Sequence, residues 1–122
     1  VMYDVCLEAL ESAISVIKPG ITSGEVDEAC RSVIEKAGYY ENFRKRTGYS
    51  IGSSYPPTWG EGSLIDLKKG DTRVLKPGMV FHMPPALRKY GKYGVGVSET
   101  VLVKEDGCEV LTNFSRELYI AE

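Results

Sequence analysis

Histidine and cysteine are scarce in this chain of 122 residues, which contains one histidine and three cysteines. Cys6, Cys30 and Cys108 are odd in number, lie far apart and show no Cys-x-x-Cys spacing. This pattern argues against a disulfide framework and a cysteine zinc site, and it favours a reducing cytoplasmic location. Any imidazole chemistry within the chain must use His82.

Long apolar runs and an excess of one charge are also missing. No apolar segment approaches the roughly 20 residues that span a bilayer, and no signal peptide pattern is present. The 15 basic and 17 acidic residues give a formal net charge of -2, which provides no field to attract nucleic acid or an anionic membrane. The sequence also lacks a phosphate loop, a dinucleotide fingerprint and a nucleophile elbow.

The length and composition of the chain are those of one globular domain that is large enough to bury a core. We therefore expect residues 1–122 to form one unit. Val1 leads directly into helical periodicity without a start methionine or a capping residue. We therefore expect the chain to be a fragment of a longer protein.

Two amphipathic helices are predicted in the first 40 residues. Apolar side chains recur every three or four positions from Val1 to about Ile17, and Pro19-Gly20 ends this pattern. Thr22 and Glu25 have the spacing of a capping box at the start of a second helix, and Gly38 is a natural residue after its end. The short connection predicts a helical hairpin.

Strand patterns follow in the second half of the chain. We predict strands at Leu64–Leu67, at Met79–Met83 and within the β-rich segment Val95–Val103. Asp106-Gly107 is a strong hairpin turn, and Cys108–Leu111 returns as the partner strand. Two helices followed by a mostly antiparallel sheet predict an α+β fold in which the helices cover one face of the sheet.

The segment 46–61 is the candidate binding loop. It combines glycines, paired prolines, the only tryptophan, Trp59, and the carboxylate of Glu61. Glycine lets a backbone approach a ligand closely, and loops held by a scaffold concentrate binding groups. The alternative is an ordinary glycine-rich connection with a packed aromatic residue.

Two further residues are candidates for chemistry. His82 lies on an apolar strand, where a histidine is either a hydrogen-bonded structural residue or a proton carrier. Strand alternation places Val97, Glu99 and Val101 on one face, and a carboxyl group among valines suits an acid, a base or a nucleophile. The alternative is an edge-strand acid that faces water. One histidine and scattered acids do not form a dense metal ligand set.

Taken in order, these features resemble the C-terminal half of a pita-bread domain, the fold of the creatinase, prolidase and aminopeptidase P superfamily of M24-like peptidases. The resemblance is carried by the segments Ala13–Gly20, Val33–Tyr39, Leu75–Phe81 and Glu99–Val103. It covers nearly the whole chain. It implies the second half of the pita-bread fold, with the helical hairpin packed on a mostly antiparallel sheet.

Several positions depart from the metal-dependent members of that superfamily. Those members carry Gly-His-Gly-Ile-Gly, and Tyr49 stands here in place of the ligand histidine. A phenol is protonated at neutral pH and is a poor ligand for a divalent metal. Pro84 stands in place of a ligand glutamate, and the last ligand glutamate maps near Ser98-Glu99, where only a one-residue shift preserves it as Glu99. Two aspartate ligands of the family come from the preceding half of the domain.

The motif Gly-Tyr-Ser-Ile-Gly followed by Pro-Pro-x-Trp-Gly-Glu is similar to the ectoine-hydrolase branch and its Xaa-Pro dipeptidase relatives. This similarity implies a hydrolase that cleaves a C–N bond in an Xaa-Pro dipeptide or an ectoine-like cyclic amidine. It implies Glu99 as base or nucleophile, His82 as proton carrier and Tyr49 as hydrogen-bond donor. Trp59 and Glu61 would shape the pocket or hold a cationic substrate group.

The resemblance also sets expectations for cofactors and partners. We expect no metal cofactor unless Glu99 and aspartates from upstream sequence form a site. We expect the fragment alone to be inactive, and to pair with the missing N-terminal part of the same protein or to form a homo-oligomer. The alternative function is a catalytically inactive pita-bread module that binds partners in a larger assembly.

Overall fold

The computed structural model describes residues 1–43, 46–52, 65–118 and 120. Helix α1 spans Met2–Val16, helix α2 spans Ser23–Lys36, and a short 3-10 turn follows at Tyr40–Asn42. The strands in chain order are β1 (Gly48–Ser50), β2 (Asp66–Leu67), β3 (Val80–Met83), β4 (Ala86–Lys89), β5 (Tyr93–Gly96), β6 (Glu99–Lys104) and β7 (Gly107–Val110).

The predicted helical hairpin is confirmed, and so is the signal that starts its second helix. The Thr22 hydroxyl accepts a hydrogen bond from the backbone N–H of Glu25 at 3.2 Å, and the Glu25 carboxylate accepts one from the backbone N–H of Thr22 at 2.8 Å. Gly38 follows α2 with a φ of 85°, a conformation that glycine adopts without strain. None of the helices in the described ranges is both long and apolar enough to cross a membrane.

The strands form one antiparallel sheet of five in the order β2-β1-β3-β6-β7, while β4 and β5 form a separate antiparallel hairpin. The α+β prediction is therefore confirmed. One face of the large sheet belongs to the hydrophobic core, and α2 packs beside β2 while α1 packs against the β4–β5 hairpin. The core side chains of the sheet are Leu67, Phe81, Met83, Val101 and Val103.

Part of the expected binding loop is a strand. Strand β1 lies between β2 and β3 near the middle of the sheet. A Cβ added to Gly48 would lie 2.7 Å from the backbone oxygen of His82, so a side chain at position 48 would push β3 away. This glycine therefore serves strand packing rather than ligand approach. A strand of three residues is too short to show the alternation that identifies longer strands.

The β-rich segment Val95–Val103 divides between two sheets. Strand β5 ends at Gly96, and β6 begins at Glu99 in the large sheet. Strand β4 was not predicted, because it follows directly after Pro84 and Pro85 and occupies only the four residues Ala86–Lys89. The hairpin turn before β7 is confirmed by the pairing of Lys104 with Gly107.

The cysteines of the two helices are packed in the core. Cys6 and Cys30 are fully buried, and all three cysteines of the chain are free thiols. Burial raises the pKa of Cys30 to about 12, so this thiol stays protonated and packs as a small apolar group. Toward the other end of the chain, Phe114 is 72% exposed and Ile120 is 79% exposed. The expectation of a covering partner stays a prediction.

Candidate active site

Pairing of β1 with β3 brings two of the candidate residues together. Tyr49 lies directly opposite His82, and their ring centroids are 5.5 Å apart with an interplanar angle of 53°. In the same row across the sheet, Asp66 lies opposite Tyr49 and Thr100 lies opposite His82. Residues directly opposite each other in an antiparallel pair share a face, so this row lies on the face away from Phe81 and the core.

Arg46 covers one end of this row. Its guanidinium lies 5.2 Å from the centroid of the Tyr49 ring, within the range of a cation–π interaction. Its Nε atom lies 3.0 Å from the Asp66 carboxylate, which balances the charge. The cation, the phenol ring and the tilted imidazole therefore form a contiguous row beside β1.

A cavity of about 380 Å³ opens next to Tyr49. Its volume falls within the range of small-molecule sites. Its walls combine aromatic, apolar and cationic groups, and none of the described residues that line it is acidic. The lining residues are Phe43, Arg46, Tyr49, Pro84, Ala86, Arg88, Gly96, Val97 and Ser98.

Three of the positions at which this chain departs from the metal-binding pattern of the resemblance meet in this cavity. Tyr49, Pro84 and Ser98 all line it, although they are distant in sequence. They belong to three different segments, namely β1, the end of β3 and the residue before β6. Of positions 98 and 99, Ser98 lines the cavity, whereas Glu99, the first residue of β6, does not.

Glu99 lies on the opposite face of the sheet. It is paired in register with the buried Met83, and it is only 3% exposed. One carboxylate oxygen lies 3.3 Å from Nε of Arg116, and the other has no hydrogen-bond partner among the described residues. The structure therefore does not bring Glu99 together with Tyr49 and His82. Its role as base or nucleophile stays a prediction.

His82 is half-buried, and this burial lowers the pKa of its imidazole below the ordinary value of 6.5. The imidazole is therefore neutral at pH 7, which leaves one ring nitrogen free to accept a proton and the other carrying one. It contacts the ring of Tyr49 but does not line the cavity itself. A neutral histidine in this position suits proton transfer at the edge of the site.

We expect the NMR titration of His82 to have its midpoint below 6.5, because burial disfavours the imidazolium. An unfolded chain takes up this proton at a higher pH than the folded chain does. The contribution of His82 to stability is therefore complete above pH 6.5 and is lost as the pH falls through the lower, folded pKa. The same pH dependence should be absent from the unfolding of a His82→Gln variant. A midpoint at or above 6.5 would contradict this expectation.

The remaining candidates lie outside the described residues. Trp59 and Glu61 belong to residues 53–64, so their predicted roles in shaping the pocket and holding a cationic group stay predictions. Among the residues that the structure does describe, no group of three or more histidine, cysteine, aspartate or glutamate side chains could hold a metal ion. A phenol, a proline and a hydroxyl in the cavity do not fit a divalent metal.

Three residues around the cavity were missed by sequence reasoning. The sequence assigns no role to Phe43 or Arg88, and it places Arg46 in the candidate loop 46–61 without indicating a function for its side chain. The local signal that could have indicated the β4–β5 hairpin, and with it Arg88, is the turn at Gly91, which has a positive φ of 76°. Their convergence depends on contacts between segments that are distant in sequence.

Comparison with known proteins agrees with this geometry. An ectoine hydrolase of Halomonas elongata is 38% identical over 114 residues, which cover 93% of this chain and 28% of that protein. An uncharacterized peptidase of Staphylococcus saprophyticus is 36% identical over 115 residues, covering 94% of this chain and 31% of that protein. The crystal structure of an X-Pro aminopeptidase from Thermotoga maritima superimposes with a TM-score of 0.88 at 31% identity, covering 98% of this chain and 32% of that one.

The chain spans less than a third of the length of each of these relatives. The profile of metallopeptidase family M24 matches residues 1–105, which is most of the chain. The fold of the C-terminal half of a pita-bread domain is thus confirmed, and the chain belongs to metallopeptidase family M24.

Proposed function

We propose that the protein that carries this chain hydrolyses a C–N bond in a small molecule, either an Xaa-Pro dipeptide or an ectoine-like cyclic amidine. The observation that supports this most directly is the cavity at which Tyr49, Pro84 and Ser98 meet. It occupies the ligand positions of a hydrolase family but has lost their metal-binding groups. A site of this kind would have to activate its substrate with hydrogen bonds and proton transfer.

Tyr49 is the residue that we assign to the substrate. Its ring lines the cavity, and Arg46 above the ring would favour negative charge that develops near the hydroxyl. A hydroxyl that donates a hydrogen bond to developing negative charge stabilises the transition state of C–N cleavage. Tyr49 would thus replace the polarising function that a metal has in the metal-dependent members.

His82 is assigned to proton transfer behind Tyr49. As water adds to the carbon of the C–N bond, a proton leaves the water, and the departing nitrogen gains a proton when the bond breaks. A neutral imidazole with a pKa below 6.5 accepts the first proton and returns it. Because His82 contacts the ring of Tyr49 without lining the cavity, its proton would pass through a water molecule or the phenol.

The test measures metal content and turnover of glycyl-proline and ectoine, with and without a chelator. We expect turnover that survives chelation and falls by about 100-fold in Tyr49→Phe, because one transition-state hydrogen bond is lost. Tyr93→Phe is the matched control, since Tyr93 is 56% exposed and does not line the cavity. Stoichiometric metal together with loss of turnover on chelation would contradict the proposal.

The second candidate function is a pita-bread module that binds a ligand or partner without turning it over. The replacement of ligand positions at Tyr49, Pro84 and Ser98 favours this reading as well. Measurement of turnover distinguishes the hydrolase from the binding module. If neither glycyl-proline nor ectoine is hydrolysed and Tyr49→Phe leaves cellular function intact, the binding module is the better description.

A further inference from the structure

Within the described part of the cavity wall, Arg88 contributes a positive charge that no acidic side chain balances. Among the lining residues that the structure describes, two are arginines, Arg46 and Arg88, and none is acidic. Arg46 is paired with Asp66 at 3.0 Å, so its charge is largely offset. Within the described part of the chain, Arg88 has no ion-pair partner. A site that binds metal cations in related proteins thus presents a cation of its own here.

The fold holds Arg88 at the cavity wall. Strand β4 places the buried Leu87 toward the core and Arg88 on the other face of the hairpin. The backbone oxygen of Arg88 accepts a hydrogen bond from the Asn42 side chain at 3.1 Å, which ties β4 to the 3-10 turn. The backbone under the guanidinium is therefore fixed, although the side chain itself is exposed.

Two glycines keep space open around this arginine. Gly94 lies opposite Arg88 in the hairpin, and a Cβ on Gly94 would lie 3.4 Å from Cγ of Arg88. Gly96 lies opposite Ala86, and a Cβ there would lie 3.2 Å from the Ala86 Cβ, closer than an ordinary contact. The absence of side chains at Gly94 and Gly96 thus leaves space beside Arg88 and Ala86.

The other lining residues indicate what kind of ligand the Arg88 guanidinium would bind. Phe43, Tyr49, Pro84 and Val97 provide aromatic and apolar surface, and Ser98 adds one hydroxyl. Such a wall suits a compact, mostly apolar body such as a small ring. An arginine fork binds a carboxylate with two parallel hydrogen bonds, which makes it selective for that group.

We propose that Arg88 binds the carboxylate of the substrate and makes this cavity selective for small ring compounds that carry a free carboxylate. This inference rests on the proposed function for the choice of compounds, since proline and ectoine both carry a carboxylate on a ring. Arg88 is then a specificity-determining residue, while Tyr49 contacts the bond that is cleaved.

The experiment measures binding to the protein that carries this chain by calorimetry. The probes are glycyl-proline and ectoine, each paired with its neutral carboxamide. Arg88→Ala should raise the Kd of both carboxylates by about 10- to 100-fold, as expected for loss of a charged hydrogen-bond pair, and leave the Kd of the amides unchanged. The Kd of the carboxylates for Arg88→Lys should lie between the wild-type and Arg88→Ala values, because lysine keeps the charge but lacks the planar guanidinium that forms two parallel hydrogen bonds.

Lys89→Ala is the matched control. Lys89 is the next residue of the same strand and is exposed, but it does not line this cavity. It removes the same charge and should change every Kd by less than about twofold, since exposed charges contribute little. The inference is overturned if the wild-type protein binds the carboxylates no more tightly than the amides. It is also overturned if Arg88→Ala has no larger effect than Lys89→Ala.

Binding and turnover measurements distinguish a failure of the hydrolase proposal from a failure of the role proposed for Arg88. If the carboxylates bind through Arg88 but neither is hydrolysed, the hydrolase proposal is wrong and carboxylate recognition stands. If they are hydrolysed with an unchanged KM in Arg88→Ala, the hydrolase proposal stands and the role of Arg88 is wrong.

Discussion

Replacement of Asp27 by alanine is expected to lower the free energy of unfolding by about 3–5 kcal/mol, the cost of leaving a buried charge without its partner. Asp27 is fully buried on α2. Its carboxylate accepts hydrogen bonds from the backbone N–H of Thr47 at 3.1 Å and from the Thr47 hydroxyl at 2.8 Å. It also pairs with Arg31, whose Nε lies 2.8 Å away and whose side chain is only 12% exposed.

Asp27→Ala should also disturb the cavity beside Tyr49, because Thr47 lies just before β1. Without Asp27, the Thr47 hydroxyl loses its charged acceptor, and the backbone N–H of Thr47 keeps only its bond to the Leu67 oxygen at 2.9 Å. The position of Tyr49 is then no longer fixed from α2. Chemical denaturation measures the stability change. Glu28→Ala is the matched control, since Glu28 is the next residue of α2 and is exposed, and it should change stability by less than about 0.5 kcal/mol. An Asp27→Ala protein as stable as this control would show that the network contributes little.

The second large effect concerns Glu99, for which placement and resemblance predict opposite results. Its placement opposite Met83 and against Arg116 predicts that Glu99→Gln loses about 2 kcal/mol of stability, as for a hydrogen bond to a charged group. Turnover should then change little. A base or nucleophile would instead lose about 1000-fold or more in kcat with little change in stability.

A double-mutant cycle between Glu99 and Arg116 completes this test. Arg116 also lies 3.5 Å from Glu11, and its backbone oxygen accepts a hydrogen bond from the Tyr3 hydroxyl, so it joins the C-terminal segment to α1. If Glu99 stabilises this attachment, the losses in Glu99→Gln and Arg116→Ala should be less than additive in the double variant. Additive losses together with a collapse of kcat would support the catalytic role implied by the resemblance.

Much of the fold could be predicted because its signals are local. The apolar period of α1, the capping box between Thr22 and Glu25, and the turn at Asp106-Gly107 each depend on neighbours within a few residues. The strands β1 and β4 could not be predicted in this way, because three or four residues are too few to show a period. Their partners come from segments distant in sequence.

The sequence by itself determined the family and the α+β order of the elements, and through the resemblance it predicted which residues stand at metal-ligand positions. Only the tertiary structure decided which side chains share a face. Antiparallel register places Tyr49 beside His82 and turns Ser98 toward the cavity, while the same alternation buries Glu99 against Arg116. A one-residue difference in a strand moves a side chain to the other face of the sheet, and that difference is set by pairing with distant strands.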